Sequence, residues 1–520
     1  MAAKQQRVFA FINATILDGT CDMEPQRGMS VLVDKGRIVR IEPAATAQLP
    51  AEAEVIDLHD SYLLPGLINM HVHFCGSGKP VSAGNAGDLM RRLDNAPGRM
   101  IVRHILKRSA QQQLASGVTC VRGAGDPLYA DIAVRDAINA GRYLGPRIVA
   151  PGTGITVPNG HGAGLFAQVA TTPQEASDYV CDLSARGADT IKLFVTGGVF
   201  DAEVPGEPGV LRMSLEVARA ACKTAHDLGL PVMAHVESTE GVKVALQAGV
   251  DTIEHGAPMT DEVRDLFLGA AGTQLPGRPA SLTCTISPAL PFVLLDPEKT
   301  ASTEVQKLNG DIVCEGIIKC AREALDAGIP VGLGTDSSCP YVTQYDMWRE
   351  VAYFAKYVGV STAFALHTAT QVNAELLGLG AETGTIEVGK AADIIICRNN
   401  PLEDLSRLSH LEHVMCRGVL ADGLKVKHMP KLDEDLDWIM AQSVTVRSVS
   451  YTHLDVYKRQ LRAGPLQSVE RGCTNVRPTE GDRPFSYGVG NLLRENLLVG
   501  LCRSPRECGF ANTPGESGTT

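Results

Sequence analysis

The sequence predicts an α/β protein, a (β/α)8 TIM barrel joined to a small composite β-sandwich domain. Three observations support this prediction. From Leu63 onward, short apolar strands alternate with helical stretches, several of those helices end at a glycine just before the next strand, and strand-like alternation flanks the whole pattern. We expect residues 1–62 and 375–430 to form the sandwich domain and residues 63–374 to form the barrel.

The first sixty residues alternate apolar and polar positions in short bursts, separated by turn residues such as Asp34, Lys35 and Gly36. This pattern predicts a small antiparallel β unit. The same alternation returns in "GTIEVGKAADIIICRNNPLEDL" and "LEHVMCRGVLADG". We therefore expect strands from both ends of the chain to pair in one domain.

The segment between them contains eight candidate strands, the number that a (β/α)8 barrel requires. In chain order they are "LLPGLINMHVHF", "VTCVRGAG", "RIVAPG", "TIKLFVTGG", "PVMAHVES", "TIEHG", "LTCTISPAL" and "PVGLGTDS". The stretch "ALHTATQVNAELLGL" is the predicted last helix of the barrel.

The end of the chain does not continue this pattern. Residues 431–447 are assigned to a C-terminal segment, and from Ser448 both hydrophobic periodicities disappear. The stretch "VSYTHLDVYKRQ" resembles translated adapter or vector read-through at the ends of assembled environmental sequences. We expect residues 448–520 to be a disordered, non-native tail, with a genuine disordered extension as the alternative.

Charge and hydropathy exclude several classes of partner. A formal net charge of −11 argues against binding to a nucleic-acid backbone, which needs a basic face. The first residues, "MAAKQQRVFAFINATILDG", contain no apolar signal region, and no apolar run approaches the length of a membrane span. We expect a cytoplasmic protein that acts on a small molecule, with no nucleic-acid or membrane partner.

Polar side chains occur at the ends of several predicted barrel strands. His71 and His73 alternate along the first strand, so both side chains project to one face at its C-terminal end. His235, His255 and Asp336 end strands five, six and eight. Because the C-terminal ends of barrel strands share one rim, these residues should converge. Neutral imidazoles suit zinc, manganese or nickel, so the pattern predicts a metal site.

Lys192 interrupts the apolar fourth strand, "DTIKLFVTGG". Its stem could simply lie along apolar surface while the ammonium reaches water. An ammonium beside metal ligands has no lone pair and would repel divalent cations. Lys192 can serve a metal pair only if its amine has reacted with CO2, giving a carbamate whose two oxygens bridge ions about 3.5–4 Å apart.

The set "HVH", "IK", "AH", "EHG" and "GTDS", followed by "GTIEVGKAADIII", resembles the amidohydrolase superfamily of metal-dependent hydrolases. The resemblance covers residues 7–425 and is strongest to the branch of Xaa-Pro or Xaa-Arg dipeptidases and imidazolonepropionase-like hydrolases. It implies two divalent metal ions, with zinc expected, and a carboxylated Lys192 that bridges them. The implied ligands are His71, His73 and Asp336 for one ion, and His235 and His255 for the other.

The resemblance also implies a mechanism. A hydroxide that bridges the two ions would attack the carbonyl of a C–N amide bond, in a dipeptide, an N-acyl amino acid or a similar small amide. Asp336 would act as general base and then as general acid.

One residue departs from the dipeptidase pattern. That branch usually has a second His two residues after the strand-five ligand, where this chain has Glu237 in "AHVES". A His followed by any residue and then an acid is a pattern that resembles imidazolonepropionase, which uses one metal and a carboxylate at this strand. The alternative is therefore a mononuclear cyclic-amide hydrolase or deaminase with Glu237 as acid or base, unless Glu237 is only a solvated loop carboxylate. Lys192 favours the two-metal interpretation, and the complete ligand set disfavours a non-enzymatic assembly protein.

Substrate contacts are predicted on loops after the barrel strands. The resemblance suggests that His161, in "VPNGHGAG", lines the pocket and binds the substrate carbonyl, and it is also a candidate catalytic residue. Tyr129 and Tyr341 either shape the pocket or pack. Arg212 follows "FDAEVPGEPGVL", a predicted lid, and could pair with a substrate carboxylate. The family often forms dimers or larger assemblies, so a homo-oligomer is expected.

Overall fold

The structure, a computed structural model, describes residues 7–80, 86–275 and 277–442. The predicted tail, residues 448–520, lies outside these residues, and so does the end of the 431–447 segment.

The described strands are numbered in chain order. They are β1 Phe9–Ile16, β2 Gln26–Asp34, β3 Arg37–Pro43, β4 Glu54–Asp57, β5 Tyr62–Pro65, β6 Leu67–Val72, β7 Val118–Gly123, β8 Arg147–Val149, β9 Gly154–Thr156, β10 Ala167–Val169, β11 Ile191–Phe194, β12 Val232–Val236, β13 Thr252–His255, β14 Ser281–Cys284, β15 Val331–Leu333, β16 Ile394–Cys397, β17 Leu411–Cys416 and β18 Val419–Leu420.

The described α-helices are numbered in the same way. They are α1 Ala86–Leu93, α2 Ala96–Ala115, α3 Ala130–Asn139, α4 Pro173–Ala185, α5 Leu215–Asp227, α6 Thr239–Ala248, α7 Asp261–Phe267, α8 Leu290–Leu294, α9 Pro297–Thr300, α10 Glu304–Asp326, α11 Met347–Tyr353, α12 Thr362–His367, α13 Asn373–Leu376 and α14 Pro430–Ala441.

The eight predicted barrel strands are β6, β7, β8 and β11 to β15, so the barrel prediction is confirmed. β6, β7 and β8 pair in parallel, as do β11 through β15 in succession. A parallel bridge between Val72 and Ser337 joins β6 to the segment after β15. Every residue of β6, β7 and β12 is buried, as expected of parallel strands covered by helices.

Local sequence explains where the barrel helices begin and end. Ser214, Ser238 and Thr260 precede α5, α6 and α7, and each side chain accepts a hydrogen bond from a backbone N–H of the first turn. Gly249 ends α6 in the left-handed region, with φ of 105°, which glycine adopts without strain. The repeated order of helix, glycine and strand therefore has a conformational cause.

Strands from both ends of the chain form the composite sandwich domain, in the order β18-β17-β16-β5-β1-β2-β3, with β4 also paired to β1. The prediction of a purely antiparallel N-terminal unit was wrong, because β1 pairs in parallel with both β4 and β5. Alternation reveals that a segment is a strand but not the direction of its partner. Phe11, Val31, Ile394 and Met415 belong to a separate apolar core in this domain.

No helix in the described part of the chain is both long enough and apolar enough to cross a membrane.

Candidate active site

The predicted metal ligands converge at the C-terminal ends of the barrel strands, in two adjacent groups. The ligand atoms of the first group, His71, His73 and Asp336, all lie within 4.8 Å of one another. The same holds for the second group, His235, Glu237 and His255. The ring centroids of His71 and His255 are 4.9 Å apart, so the two groups share a boundary.

A barrel strand and the loop after β7 orient the two histidines of the first group. The Nδ1 atom of His71 lies 2.6 Å from a carboxylate oxygen of Glu254. The Nδ1 of His73 lies 2.6 Å from the carbonyl oxygen of Gly125, which can only accept, so Nδ1 carries the proton. The Nε2 atoms of the two rings lie 3.4 and 3.5 Å from one oxygen of Asp336. Each ring therefore directs Nε2 toward the carboxylate, as ligands of a shared cation would.

The second group combines a strand-end pair with a carboxylate. The Nδ1 atom of His255 lies 2.7 Å from the Thr285 hydroxyl. The Nε2 atom of His235 lies 3.2 Å from the Gly197 carbonyl oxygen and 3.9 Å from Glu237. The Glu237 side chain is only 10% exposed, and its Oε2 accepts a hydrogen bond from Val199 at 3.1 Å. Glu237 is therefore not a solvated loop carboxylate.

The protonation states suit cation binding. Burial lowers the pKa of His73 to about 4 and that of His255 to about 3. Burial also holds the pKa of His71 and of His235 well below its ordinary value. Burial alone would raise the pKa of Asp336, but His255, His73 and Lys192 bring it below its usual value. The rings are neutral and Asp336 is ionised at neutral pH, so each offers a lone pair.

Two of the ligand candidates have unusual backbone conformations. His255 has φ of 70° and Asp336 has φ of 57°, both in the left-handed region that residues other than glycine rarely adopt. The backbone N–H of Asp336 donates to the carbonyl of His71 at 2.8 Å, which ties the loop after β15 to β6. Such strain is typical of functional sites.

Lys192 lies inside the barrel and is fully buried. Its Nζ has no hydrogen-bond partner among the described residues and lies 4.9 Å above the ring of Phe194. Burial lowers its pKa to about 8, which makes the neutral amine accessible. A buried, unpaired ammonium is costly, whereas an amine converted to a carbamate would supply two oxygen ligands. The orphaned Nζ and the nitrogen and carboxylate donors around it fit a centre of two cations.

A buried ion pair supports the first group, and the sequence analysis missed it. Arg122, on β7, donates to Glu254 at 2.7 Å and to the Met70 carbonyl at 2.9 Å. Glu254 therefore links Arg122 to His71. Successive strand residues normally face opposite sides, so Glu254 and His255 were not both expected inside. The left-handed φ of His255 breaks that alternation.

Two of the predicted substrate-contact residues, His161 and Arg212, lie beside the site. His161 stacks on His235, with ring centroids 4.4 Å apart and planes 5° from parallel, and its Nδ1 hydrogen-bonds the Asp201 carboxylate. Burial raises the pKa of Asp201, but His161 and the charge of Arg212 bring it below its ordinary value. Arg212 is exposed, at the end of the predicted lid.

The two predicted tyrosines have their hydroxyl contacts elsewhere. Tyr129 lies against α4, with its hydroxyl 3.4 Å from Asp182. Tyr341 donates to Asp435, on α14, at 3.2 Å and reaches the carbonyl of Lys299 at 3.3 Å. These contacts are those of packing residues, and a substrate role for either tyrosine stays a prediction.

Comparison with known proteins supports the family that the sequence resembles. Residues 62–421 match the model of the amidohydrolase family. The fold is similar to that of a candidate prolidase from Bifidobacterium longum, with a TM-score of 0.74, 37% identity, and coverage of 84% of this chain and 100% of that one.

Two further similar proteins represent the two kinds of enzyme in the predicted branch, dipeptidases and imidazolonepropionases. A solved Xaa-Pro dipeptidase with bound methionine in the active site gives a TM-score of 0.67 at 30% identity, over 79% of this chain and 99% of that chain. Imidazolonepropionase from Symbiobacterium thermophilum is 25% identical over 428 residues, which cover 76% of this chain and 89% of the relative. The family prediction is confirmed: this chain belongs to the amidohydrolase family, as a hydrolase that acts on carbon–nitrogen bonds.

Proposed function

We propose that this protein hydrolyses the amide bond of a dipeptide, an N-acyl amino acid or a similar small amide at a centre of two divalent cations. The observation that carries the proposal is the buried Nζ of Lys192, which lacks a hydrogen-bond partner in the described part of the chain. The charge of Lys192 contributes to the lowered pKa of all four histidines, so it lies close to both groups.

The proposed ligands form two sets, one for each cation. His71, His73 and Asp336 would hold one, His235 and His255 would hold the other, and a carboxylated Lys192 would bridge them. When bound, divalent cations polarise a carbonyl and lower the pKa of water. Zinc is the proposed metal, because imidazole nitrogen and carboxylate oxygen are ligands that it commonly takes.

Asp336 is the proposed proton carrier. Its carboxylate is ionised, lies 3.4 Å or more from the two histidine nitrogens, and belongs to the ligand set itself. It would accept a proton from the attacking water and deliver that proton to the leaving nitrogen. His161 and Arg212 would contact the carbonyl and a carboxylate of the substrate from the mouth of the site.

Glu237 supports the second candidate function, a mononuclear cyclic-amide hydrolase or deaminase. Burial, together with Asp336 and Asp201, raises its pKa well above the ordinary value, so the protonated form is favoured. A protonated carboxyl beside His235 could act as an acid. The similarity to imidazolonepropionase makes this the alternative to test.

The cellular compartment of the enzyme is proposed from its cysteines. The described residues contain eleven cysteines, none of them in a disulfide, and most of these thiols are buried. This usage is typical of a reducing compartment, so we propose a cytoplasmic enzyme of small molecules.

The test is a substrate screen of the full chain, reconstituted with zinc and bicarbonate, against dipeptides, N-acyl amino acids, cyclic amides and lactones. Cleavage of linear amides that a chelator abolishes and zinc restores is the expected result. Ring opening of a cyclic substrate without cleavage of any linear amide would overturn the first choice. Glu237→Gln separates the candidates further, because the loss of an essential acid predicts at least about 100-fold lower kcat only for the second.

A further inference from the structure

Residues 198–212, termed here the lid segment, are fixed at both ends and on the outside. At its base, Gly197 donates to the Val210 carbonyl at 2.9 Å and Arg212 donates to the Val195 carbonyl at 3.0 Å. On the outside, the fully buried Asn309 of α10 accepts from Gly206 at 2.8 Å and donates to the Val204 carbonyl at 3.0 Å. Hydrogen bonds therefore hold the lid segment at its base and on its outer side.

The lid segment lies directly on the second ligand group. The backbone N–H of Val199 donates to Glu237 at 3.1 Å. A side-chain Cβ at Gly198 would lie 3.1 Å from Nε2 of His235, and one at Gly209 would lie 2.4 Å from the backbone of Glu237. Glycine at these two positions lets the backbone approach the site this closely.

Asp201 extends from the lid segment to His161, which lies 40 residues earlier on a different loop. The carboxylate contacts Nδ1 of the ring, and the two side chains are 33% and 16% exposed. Among the residues that the structure describes, Asp201 is the only hydrogen-bond partner of this imidazole, so Nε2 remains free. The ring also stacks on the face of His235, so the stacking contact and this hydrogen bond together fix its orientation.

We propose that Asp201 is the positioning residue for His161. It holds the ring through the proton on Nδ1 and directs Nε2 toward the substrate. Because a carbonyl oxygen can only accept, Nε2 must also carry a proton when it contacts one. The position of the lid segment therefore determines the position of His161. A carboxylate paired with one ring nitrogen fixes both the tautomer and the orientation of a histidine. The catalytic consequence rests on the proposed function, but the pairing itself does not.

The kinetic test compares Asp201→Ala, Asp201→Glu and a control on the same segment, Glu203→Ala, whose side chain is exposed. We expect kcat of Asp201→Ala to fall roughly 10- to 100-fold with KM changed less than about threefold, because a misplaced catalytic group costs about 100-fold. Asp201→Glu should recover part of the loss, and Glu203→Ala should match the wild type. An unchanged kcat in Asp201→Ala would overturn the proposal, as would equal losses in Glu203→Ala.

A second measurement does not depend on activity. In 15N-histidine spectra of the full chain, the signal lost in His161→Asn identifies His161, and we expect a proton on its Nδ1 in the wild type. Asp201→Ala should change that signal while circular dichroism and bound metal stay constant. An unchanged His161 signal in Asp201→Ala would overturn the proposal. A wild type that cleaves no amide but shows the expected spectra would contradict the proposed function and support the Asp201–His161 pair.

Discussion

The two ligand groups occupy the same barrel rim, but different parts of the molecule hold them. His71 is oriented from the interior by the Glu254 carboxylate, and His73 is oriented by the Gly125 carbonyl just beyond the end of β7. His235 instead faces the Gly197 carbonyl at the base of the lid segment and stacks on His161 from another loop. The first group thus depends in part on a charge inside the barrel, whereas His235 of the second group depends on loops being in place.

Although each group would hold a cation, this difference predicts that the two groups respond differently to substitution. Side chains fixed by a packed core keep their geometry whether or not a substrate is present. Loops are less stable locally and can respond to a ligand. We therefore expect changes behind the first group to affect the cation, and changes around the second group to affect turnover.

The largest effect is expected from Asp336→Asn, which alters a proposed ligand and the proposed proton carrier together. We expect kcat to fall by roughly 100- to 10,000-fold, the range of general acid–base contributions. Steady-state kinetics on the amide found in the screen measure this change. The matched control is Asp326→Asn, an exposed residue at the end of α10. If Asp336→Asn retained more than a tenth of wild-type kcat, the assigned role would be incorrect.

The second-largest effect is expected from Glu254→Gln, which tests whether the two ligand groups are supported independently. Glu254→Gln removes the charge that orients His71 and pairs with Arg122, so metal affinity should fall roughly 10- to 100-fold. Competition with a fluorescent chelator should then resolve one weakened site and one unchanged site. Glu262→Gln, an exposed glutamate on α7, is the control. Equal weakening of both sites would show that the groups are not independently supported.

Because Glu254 is part of a buried ion pair, that variant must also be checked for folding. Leaving Arg122 without its partner is expected to cost about 3–5 kcal/mol of unfolding free energy. Denaturant titration measures this loss, and metal affinity is compared only at temperatures where the variant remains folded.

The smallest effect is expected from Tyr341→Phe, on a loop near the rim. Its hydroxyl joins the loop after β15 to Asp435 of α14, so its removal should cost about 1 kcal/mol of stability. Thermal unfolding measures the loss, and Tyr143→Phe, whose hydroxyl lies 3.5 Å from the Val134 carbonyl oxygen, is the matched control. A tenfold rise in KM with unchanged stability would instead support the predicted substrate contact.

The sequence predicted the strand-end residues well, for a physical reason. Parallel barrel strands place their C-terminal ends on one rim, so His71, His235 and Asp336 could be brought together without knowledge of any loop. Lys192 was recognisable because a charged residue in a buried strand needs an explanation.

Other features depended on information that periodicity does not contain. Glu254 was missed because the alternation rule directs it away from His255. Asp201 was missed because its contact with His161 depends on the path of the lid segment. The parallel pairing of β1 with β4 and β5 was also missed, because alternation carries no direction.

The most direct test of the two-cation centre is metal content per folded chain, measured by elemental analysis after reconstitution of the full chain with zinc and bicarbonate. We predict about two equivalents for the wild type and for Lys223→Ala, an exposed lysine on α5, but fewer for Lys192→Ala, which lacks the proposed bridging group. About one equivalent in the wild type, or two equivalents with full turnover in Lys192→Ala, would contradict the bridging role of Lys192.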